Sequence, residues 1–117
     1  MSDQKPTTSG LALTVQDGKV TASSRDIAKK FGKQHKNVIQ SIELLDCSAE
    51  FKQLNFQPLK FIYRGQEFPY YEMTRDGFSF LCMGFTGKKA AIWKEAYIDA
   101  FNAMEAELLQ QKIWIGG

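Results

Sequence analysis

The sequence predicts a single α+β domain with a winged-helix-like helix-turn-helix, small antiparallel hairpins and a long C-terminal helix. Three observations lead to this prediction. Two short amphipathic patterns meet at Gly32, β-favouring residues flank the segment Arg64-Gly65-Gln66, and apolar residues recur at helical spacing near the C-terminus. The predicted elements are the helix-turn-helix at 24 to 45, the hairpin at 56 to 73 and the C-terminal helices at 75 to 112.

Length and composition fit one folded domain. The chain has 117 residues, of which 44% are hydrophobic and 13% aromatic, enough to build a core. We expect residues 11 to 117 to form this domain and the polar residues 1 to 10 to be a flexible arm. Because the chain has no run of about 18 apolar residues and no secretory signal, we expect a cytoplasmic protein without a membrane span.

The cysteine and histidine content argues against a metal site. Two cysteines, Cys47 and Cys82, fit reduced thiols of a cytosolic protein, and Cys82 reads as an inert core residue. One histidine, with no CxxC or HxxxH spacing, makes a structural zinc site improbable. The carboxylates do not cluster as paired catalytic acids would, so we expect neither an enzyme nor a cofactor.

The first helix of the predicted helix-turn-helix begins after Ser23 and Ser24, whose hydroxyls can cap it. Asp26 in the first turn suits the positive end of the helix dipole. The apolar residues Ile27, Ala28 and Phe31 form a one-sided stripe, and Gly32 permits a sharp turn.

The second helix is predicted to have a polar outer face. Helical spacing places Val38, Ile42 and Leu45 on one side. The polar residues left largely on the other side are Gln34, Lys36, Asn37, Gln40 and Ser41. In a helix-turn-helix, the first turns of this second helix meet base edges in the major groove. The alternative is two surface helices of an ordinary small domain, whose exposed polar residues do nothing specific.

Local charge favours double-stranded DNA as the partner. Between residues 19 and 40, six basic residues stand against one acid, whereas the whole chain carries a net charge of only +2. Such a local excess suits a phosphate backbone. The candidate DNA-binding residues are Arg25, Lys29, Lys30, Lys33, Gln34, His35, Lys36, Asn37, Gln40, Ser41, Lys88 and Lys89. The amides of Asn37 and Gln40 suit adenine edges, Lys36 could contact guanine, and His35 is interpreted as a helix cap or a phosphate contact.

Two hairpins and a connector complete the first part of the chain. Asp17-Gly18 is a preferred tight turn, and the later run around Arg64 is rich in strand-forming aromatic residues. This second hairpin could be a wing, with Lys60 or Arg64 reaching a phosphate, but packing against the domain is favoured. Between the helix-turn-helix and this hairpin, a short helical connector is expected to direct Phe51 and Leu54 toward the core.

The C-terminal region is predicted to be helical. Thr74 can cap a short apolar helix, and a long helix should follow the segment Thr86-Gly87-Lys88-Lys89. That segment lacks the upstream glycine of a P-loop, so a DNA phosphate clamp and solvated lysines remain as alternatives. The long helix has an acidic outer face, and its apolar stripe leaves both core packing and homodimerisation open. The stripe comprises Ile92, Trp93, Ala96, Tyr97, Ala100, Phe101, Met104 and Leu108.

The chain resembles the phage regulatory protein Rha family. The resemblance covers roughly residues 20 to 108 and rests on VTASSRDIAKKFGKQHKNVIQSI, LNF and YEMTRDGFSFLCMGFTGKKAAIWKEAYIDAFNAME. It implies a regulator encoded by a temperate phage or prophage, acting in a bacterial host near the nucleoid. It does not supply base-contacting residues. Many relatives carry a second, C-terminal domain, which we do not expect here.

Two functions are therefore carried forward. One is a regulator that binds double-stranded DNA and controls transcription. The other is an antirepressor-like module that binds another phage or host regulator, for which the acidic, aromatic terminal helix would be the contact.

Overall fold

The computed structural model of the protein describes residues 11, 13–16 and 18–116, with side chains as far as residue 110. The elements in chain order are β1 (Leu13–Gln16), β2 (Lys19–Ser23), α1 (Ser24–Phe31), α2 (His35–Glu43), α3 (Ala49–Asn55), β3 (Phe56–Tyr63), β4 (Gln66–Met73), α4 (Arg75–Cys82) and α5 (Lys88–Gly116). The predicted α+β class is confirmed. The expected N-terminal arm and Asp17 of the first turn lie outside the described residues.

The four strands form one antiparallel sheet in the order β1-β2-β4-β3. β3 and β4 pair along their whole length, from Phe56↔Met73 to Tyr63↔Gln66, whereas β2 meets β4 only at Met73 and Glu72. The outer part of the β3–β4 hairpin therefore extends beyond β2. Pro69 lies in this part, where a missing backbone N–H interrupts no pairing with β2.

The hairpin turn consists of Arg64 and Gly65, with φ angles of 52° and 77°. Two successive positive φ angles are those of the type I′ turn, whose twist matches that of the flanking strands. Gln66, which the sequence placed in the turn, pairs with Tyr63 as the first residue of β4.

Aromatic side chains dominate the core beneath α1, α4 and α5. Phe78, Tyr97 and Phe101 are all buried, and the ring centroids of Phe78 and Tyr97 are 4.7 Å apart. Phe31 of α1 joins them, 5.1 Å from Phe85. Because α5 contributes two of these rings, it provides a large part of the surface on which α1 rests.

Helix α5 has 29 residues, or about 43 Å at 1.5 Å per residue. It extends further than the predicted end near residue 112. Its inward face is centred on Ala96, Tyr97 and Ala100, so Ile92, which was expected in the stripe, lies at its margin and is 45% exposed. None of the helices in the described part of the chain is both long and apolar enough to cross a membrane.

The connector helix α3 has one side chain facing opposite to the expected direction. Phe51 packs against Phe80, with ring centroids 5.0 Å apart, but Leu54 is 63% exposed. The inward face of this short helix passes through Phe51 and Asn55 instead. The Asn55 amide donates to Phe51 O at 2.9 Å, and its oxygen accepts from Thr74 Oγ1 at 2.6 Å.

Gly77 permits α4 to approach the end of α3 closely. Thr74 caps α4 by accepting the Gly77 N–H at 3.2 Å. A Cβ on Gly77 would lie 2.8 Å from the backbone oxygen of Asn55. Because a Cβ and a backbone oxygen would be in contact, no side-chain rotation could relieve the clash. Cys82, at the other end of α4, is buried, and this burial raises the pKa of its thiol to about 12.

We expect Gly77→Ala to lower the free energy of unfolding by up to about 2 kcal/mol, because the overpacking cost of about 1–3 kcal/mol is offset by only about 1 kcal/mol of helix propensity. The matched control is Gly84→Ala, whose Cβ would meet nothing within 4 Å. Urea unfolding followed by circular dichroism measures both variants. A Gly77→Ala variant more stable than the wild type, as helix propensity alone would make it, would show that the contact with Asn55 is not restrictive.

Candidate nucleic-acid interface

Helix α1 begins and ends as its sequence dictates. Ser23 is the N-cap residue and accepts the Arg25 N–H at 3.1 Å. Gly32 ends the helix in the left-handed conformation, with φ of 68°, and its N–H reaches the carbonyls of Ala28 and Lys29. The left-handed residue lets the chain reverse within a few residues, because glycine adopts positive φ without steric cost.

Helix α2 follows two residues later and is oriented by its apolar side. Val38 and Ile42 are 1% and 0% exposed. The opposite side is open to solvent, and its exposed residues are Gln34, Lys36, Asn37, Gln40 and Ser41. All five polar residues assigned to the outer face of this helix therefore point away from the core.

Ser24 connects three elements through its buried hydroxyl. Ser24 is 0% exposed, its Oγ accepts the Tyr71 N–H at 2.9 Å, and the same oxygen lies 2.9 Å from His35 Nε2. Tyr71 belongs to β4 and His35 is the first residue of α2. The hydroxyl therefore fixes the beginnings of both helices against the sheet.

Of the two roles predicted for His35, a helix cap or a phosphate contact, the structure contradicts the helix cap. The N-cap position of α2 is Gln34, which makes no side-chain cap hydrogen bond, and the half-buried imidazole of His35 turns toward Ser24 instead. Because Ser24 already accepts from Tyr71, its own proton can be donated to Nε2, which requires a neutral ring with its proton on Nδ1. Burial, and then the positive charge of Arg25, lower the pKa of His35.

The Arg25 side chain extends from the solvent-facing side of α1 and stacks on the β3–β4 hairpin. Its guanidinium carbon lies 3.6 Å from the ring centroid of Phe61. The Phe61 ring is itself 5.6 Å from Phe68 and 5.9 Å from Tyr70. Between α1 and the hairpin there is an open cavity of about 650 Å³. Its lining includes Arg25, Lys29, His35, Phe61, Tyr63 and Tyr70.

Lysines from distant parts of the chain meet around the Gly32 turn. The ammonium group of Lys89, at the start of α5, lies 3.6 Å from the position of a Cβ on Gly32. Lys33 places its ammonium 4.6 Å from the Phe85 ring centroid. Lys30 differs, because it is paired with Asp26 at 3.2 Å. The exposed Lys88 lies beside Lys89 at the beginning of α5.

The structure thus brings Arg25, Lys29 and His35 to the hairpin side of α1, and Lys33 and Lys89 to the turn. The sequence interpretation missed Ser24 and Tyr71 as junction residues and Phe61 as the partner of Arg25. A usable signal for Phe61 was the alternation of side chains along the two strands, which places Phe61, Phe68 and Tyr70 on one face of the hairpin. Among the described residues, no group of three or more histidine, cysteine or acidic side chains could hold a metal ion.

Comparison with known proteins identifies the family. The family described as phage regulatory protein Rha matches residues 22–106. The chain belongs to the phage regulatory protein Rha family. This is a family of regulators and not a class of enzymes. No solved structure matches the chain.

Three relatives place the Rha family match among phage and bacterial proteins. The chain is 40% identical over 100 residues to an uncharacterised 22.8 kDa protein of Salmonella phage P22, covering 82% of this chain and 50% of that protein. An uncharacterised protein of Haemophilus influenzae is 39% identical over 98 residues, covering 80% of this chain and 56% of that protein. The Bacillus subtilis "SPbeta prophage-derived putative antirepressor protein YoqD" is 26% identical over 104 residues, covering 84% of this chain and 41% of that protein. The chain therefore spans about half the length of these relatives.

We expect the stability of the wild-type protein to fall as the pH drops below about 6.5, the ordinary histidine pKa. The folded state lowers the pKa of His35, so the unfolded chain binds more protons in this range and gains stability relative to the fold. Since His35 is the only histidine, His35→Gln should flatten the pH dependence. Urea midpoints between about pH 7.5 and 5.5 measure this effect.

Lys36→Gln is the matched control for the histidine variant, because it alters the next residue but leaves the imidazole in place. It should keep the wild-type pH dependence. If His35→Gln retains the same slope as the wild type, the neutral imidazole does not support the junction with Ser24.

Proposed function

We propose that this Rha family member is a phage or prophage regulator that binds double-stranded DNA through a winged-helix-like arrangement of α1, the Gly32 turn and α2, and thereby controls transcription. The observation that carries the proposal is the orientation of α2. Buried Val38 and Ile42 direct a polar face outward immediately after a tight turn, and basic side chains surround that turn. The protein would act in the bacterial cytoplasm, at the nucleoid, without enzymatic activity or a cofactor.

Helix α2 supplies base readout in this proposal. Asn37 and Gln40 are exposed on its outer side, and each amide can both donate to and accept from an adenine edge. Lys36 and Ser41 lie on the same exposed side, where Lys36 can reach guanine or phosphate. Gln34, at the N-cap position without a cap hydrogen bond, is available for a phosphate or sugar contact.

Basic residues on α1 and around the Gly32 turn supply the phosphate contacts in this proposal. Arg25 and Lys29 line the hairpin side of α1, and Lys33 and Lys89 lie at the Gly32 turn. These residues would contact successive phosphates of the DNA backbone, and Lys88 would do so beside Lys89. Lys30 would contribute less because Asp26 offsets its charge, and His35 would act only through the ring nitrogen not engaged by Ser24.

The β3–β4 hairpin serves as the wing. Its base packs in the core, where Phe56 and Met73 are 3% and 0% exposed, and its outer part extends beyond β2. In this proposal the base of the hairpin packs in the core and its outer part acts as the wing. Arg64 at the tip would contact a phosphate, whereas Lys60 is paired with Glu67 at 3.6 Å and would have to leave that contact.

Residues 11 to 117 form the DNA-binding unit in this proposal, and α5 can join two copies. Leu109, on the distal part of α5, is 59% exposed. A homodimer formed there would present two α2 helices to the two halves of a symmetric site.

A second candidate function is that of an antirepressor-like module that binds another phage or host regulator. It is favoured by the SPbeta prophage relative, whose name describes an antirepressor, and by the acidic side of α5. Salt distinguishes the two functions. Binding to phosphates weakens steeply with added salt, because neutralising phosphates releases counterions.

We expect the wild-type protein to retard prophage DNA fragments and its affinity to fall linearly with salt on a logarithmic plot. Lys36→Ala should weaken binding to all sequences and lower this salt slope by about one unit, as the loss of one phosphate contact does. Gel shifts from about 50 to 200 mM salt measure the slope. Lys52→Ala is the control, because Lys52 donates to the Glu43 carbonyl at 2.8 Å and is not a proposed contact. If Lys36→Ala leaves the salt slope unchanged, Lys36 does not contact the DNA phosphate backbone.

We expect Asn37→Ala to separate specific from non-specific binding. The side chain lies in the first turn of α2, beside the buried Val38 that directs it outward. Loss of a paired contact with adenine should cost about 1–3 kcal/mol at the cognate site. Binding to random DNA should remain nearly the same, since no charge is lost. Both affinities are measured at one salt concentration, and a parallel fall of the two would show that Asn37 is not a readout residue.

A further inference from the structure

We propose that Phe61 is a positioning residue that orients the Arg25 guanidinium for a DNA phosphate and couples the hairpin to the helix-turn-helix. This inference rests on the proposed function and adds a residue on the hairpin that does not itself touch DNA. It identifies the Arg25–Phe61 contact as the link between the two surfaces that would contact DNA.

Phe61 lies in the outer part of the hairpin, where β4 is not paired with β2. Its partner on β4 is Phe68, which lies four residues away from Glu72, the last residue of β4 that pairs with β2. Its ring touches the helices from this position: Arg25 lies 3.6 Å from the ring centroid, and the His35 ring centroid lies 6.3 Å away. One side chain of the outer hairpin therefore contacts both α1 and α2.

The stacking geometry leaves the hydrogen-bonding edges of Arg25 usable. A guanidinium group placed over an aromatic ring is held by its flat face, while its N–H donors project in its own plane. A phosphate can accept two of these donors side by side. Arg25 is exposed, so an unsupported side chain would lose rotamer freedom on binding, and the ring reduces that cost by holding one orientation.

The neighbouring rings keep Phe61 itself in place. Phe68 and Tyr70 lie on the same face of the hairpin, with centroids 5.6 and 5.9 Å from that of Phe61. The Phe61–Phe68 rings are stacked at 30° and the Phe61–Tyr70 rings meet edge to face at 70°, and both arrangements are favourable at these distances. The chain of contacts therefore runs from the hairpin rings through Phe61 to Arg25, and its end faces the cavity between α1 and the hairpin.

The test is a double-mutant cycle of Phe61→Leu and Arg25→Gln, read as DNA affinity and salt slope. Phe61→Leu keeps an apolar side chain but removes the ring face. It should weaken DNA binding about two- to five-fold, the range expected for an exposed cation–π contact, and should lower the salt slope. In the Arg25→Gln background the same change should have no further effect, because the group that it positions is already absent.

Two further variants separate positioning from general stability. Phe61→Tyr retains the ring and should restore the coupling with Arg25. Phe80→Leu makes the same change at another half-buried ring, which packs on Phe51, and should lower the unfolding midpoint without altering the salt slope. In the absence of DNA, the Arg25 Nε–H proton resonance should lose its ring-current shift in Phe61→Leu.

The outcomes are distinguishable from those of the proposed function. If the wild type binds no DNA, the proposed function is overturned, and the positioning role falls with it. If the wild type binds but Phe61→Leu weakens binding equally in both backgrounds, Phe61 is only structural and this inference alone is overturned. Loss of both affinity and salt slope only where Arg25 is present supports it.

Discussion

The placement of α1 and α2 relative to the β3–β4 hairpin depends on one buried oxygen, Ser24 Oγ. It accepts the backbone N–H of Tyr71 and lies within hydrogen-bonding distance of His35 Nε2. A fully buried hydroxyl left without partners would cost about 1–3 kcal/mol, and here the oxygen has a partner on β4 and another on α2. The hydroxyl thus specifies where α2 begins relative to β4, and not only that the two are close.

A second polar contact fixes the other side of α1. The Tyr97 hydroxyl of α5 donates to Asp26, which also accepts from Lys30. Burial and this hydrogen bond to Asp26 raise the pKa of Tyr97, which keeps the phenol protonated as the donor. Successive residues of α1 therefore turn to β4, to the hairpin and to α5. With Ser24 and Asp26 engaged inside, Arg25 is the side chain of the first turn that remains directed outward.

Periodicity and turn chemistry predicted much of the fold, because these signals are local. The caps at Ser23 and Thr74, the left-handed Gly32 and the buried sides of α1 and α2 follow from neighbouring residues alone. His35 could not be assigned in this way. Its partner Ser24 is 11 residues away, and the same polar pattern fits an exposed cap. For Leu54 the pattern was ambiguous, because on so short a helix the polar Asn55 took the inward position by bonding to Thr74.

The distribution of positive charge connects this packing to the proposed interface. Lys89 reaches the Gly32 turn from the start of α5, although more than fifty residues separate it from that turn in sequence. Gathering ammonium groups around one turn opposes folding through mutual repulsion, which salt screens only in part. Packing of Lys33 over the Phe85 ring offsets some of that cost, but it does not neutralise the charge. A polyanion would neutralise it, so relief of this repulsion would add to the binding free energy if phosphates lay beside the turn, as the proposed function requires.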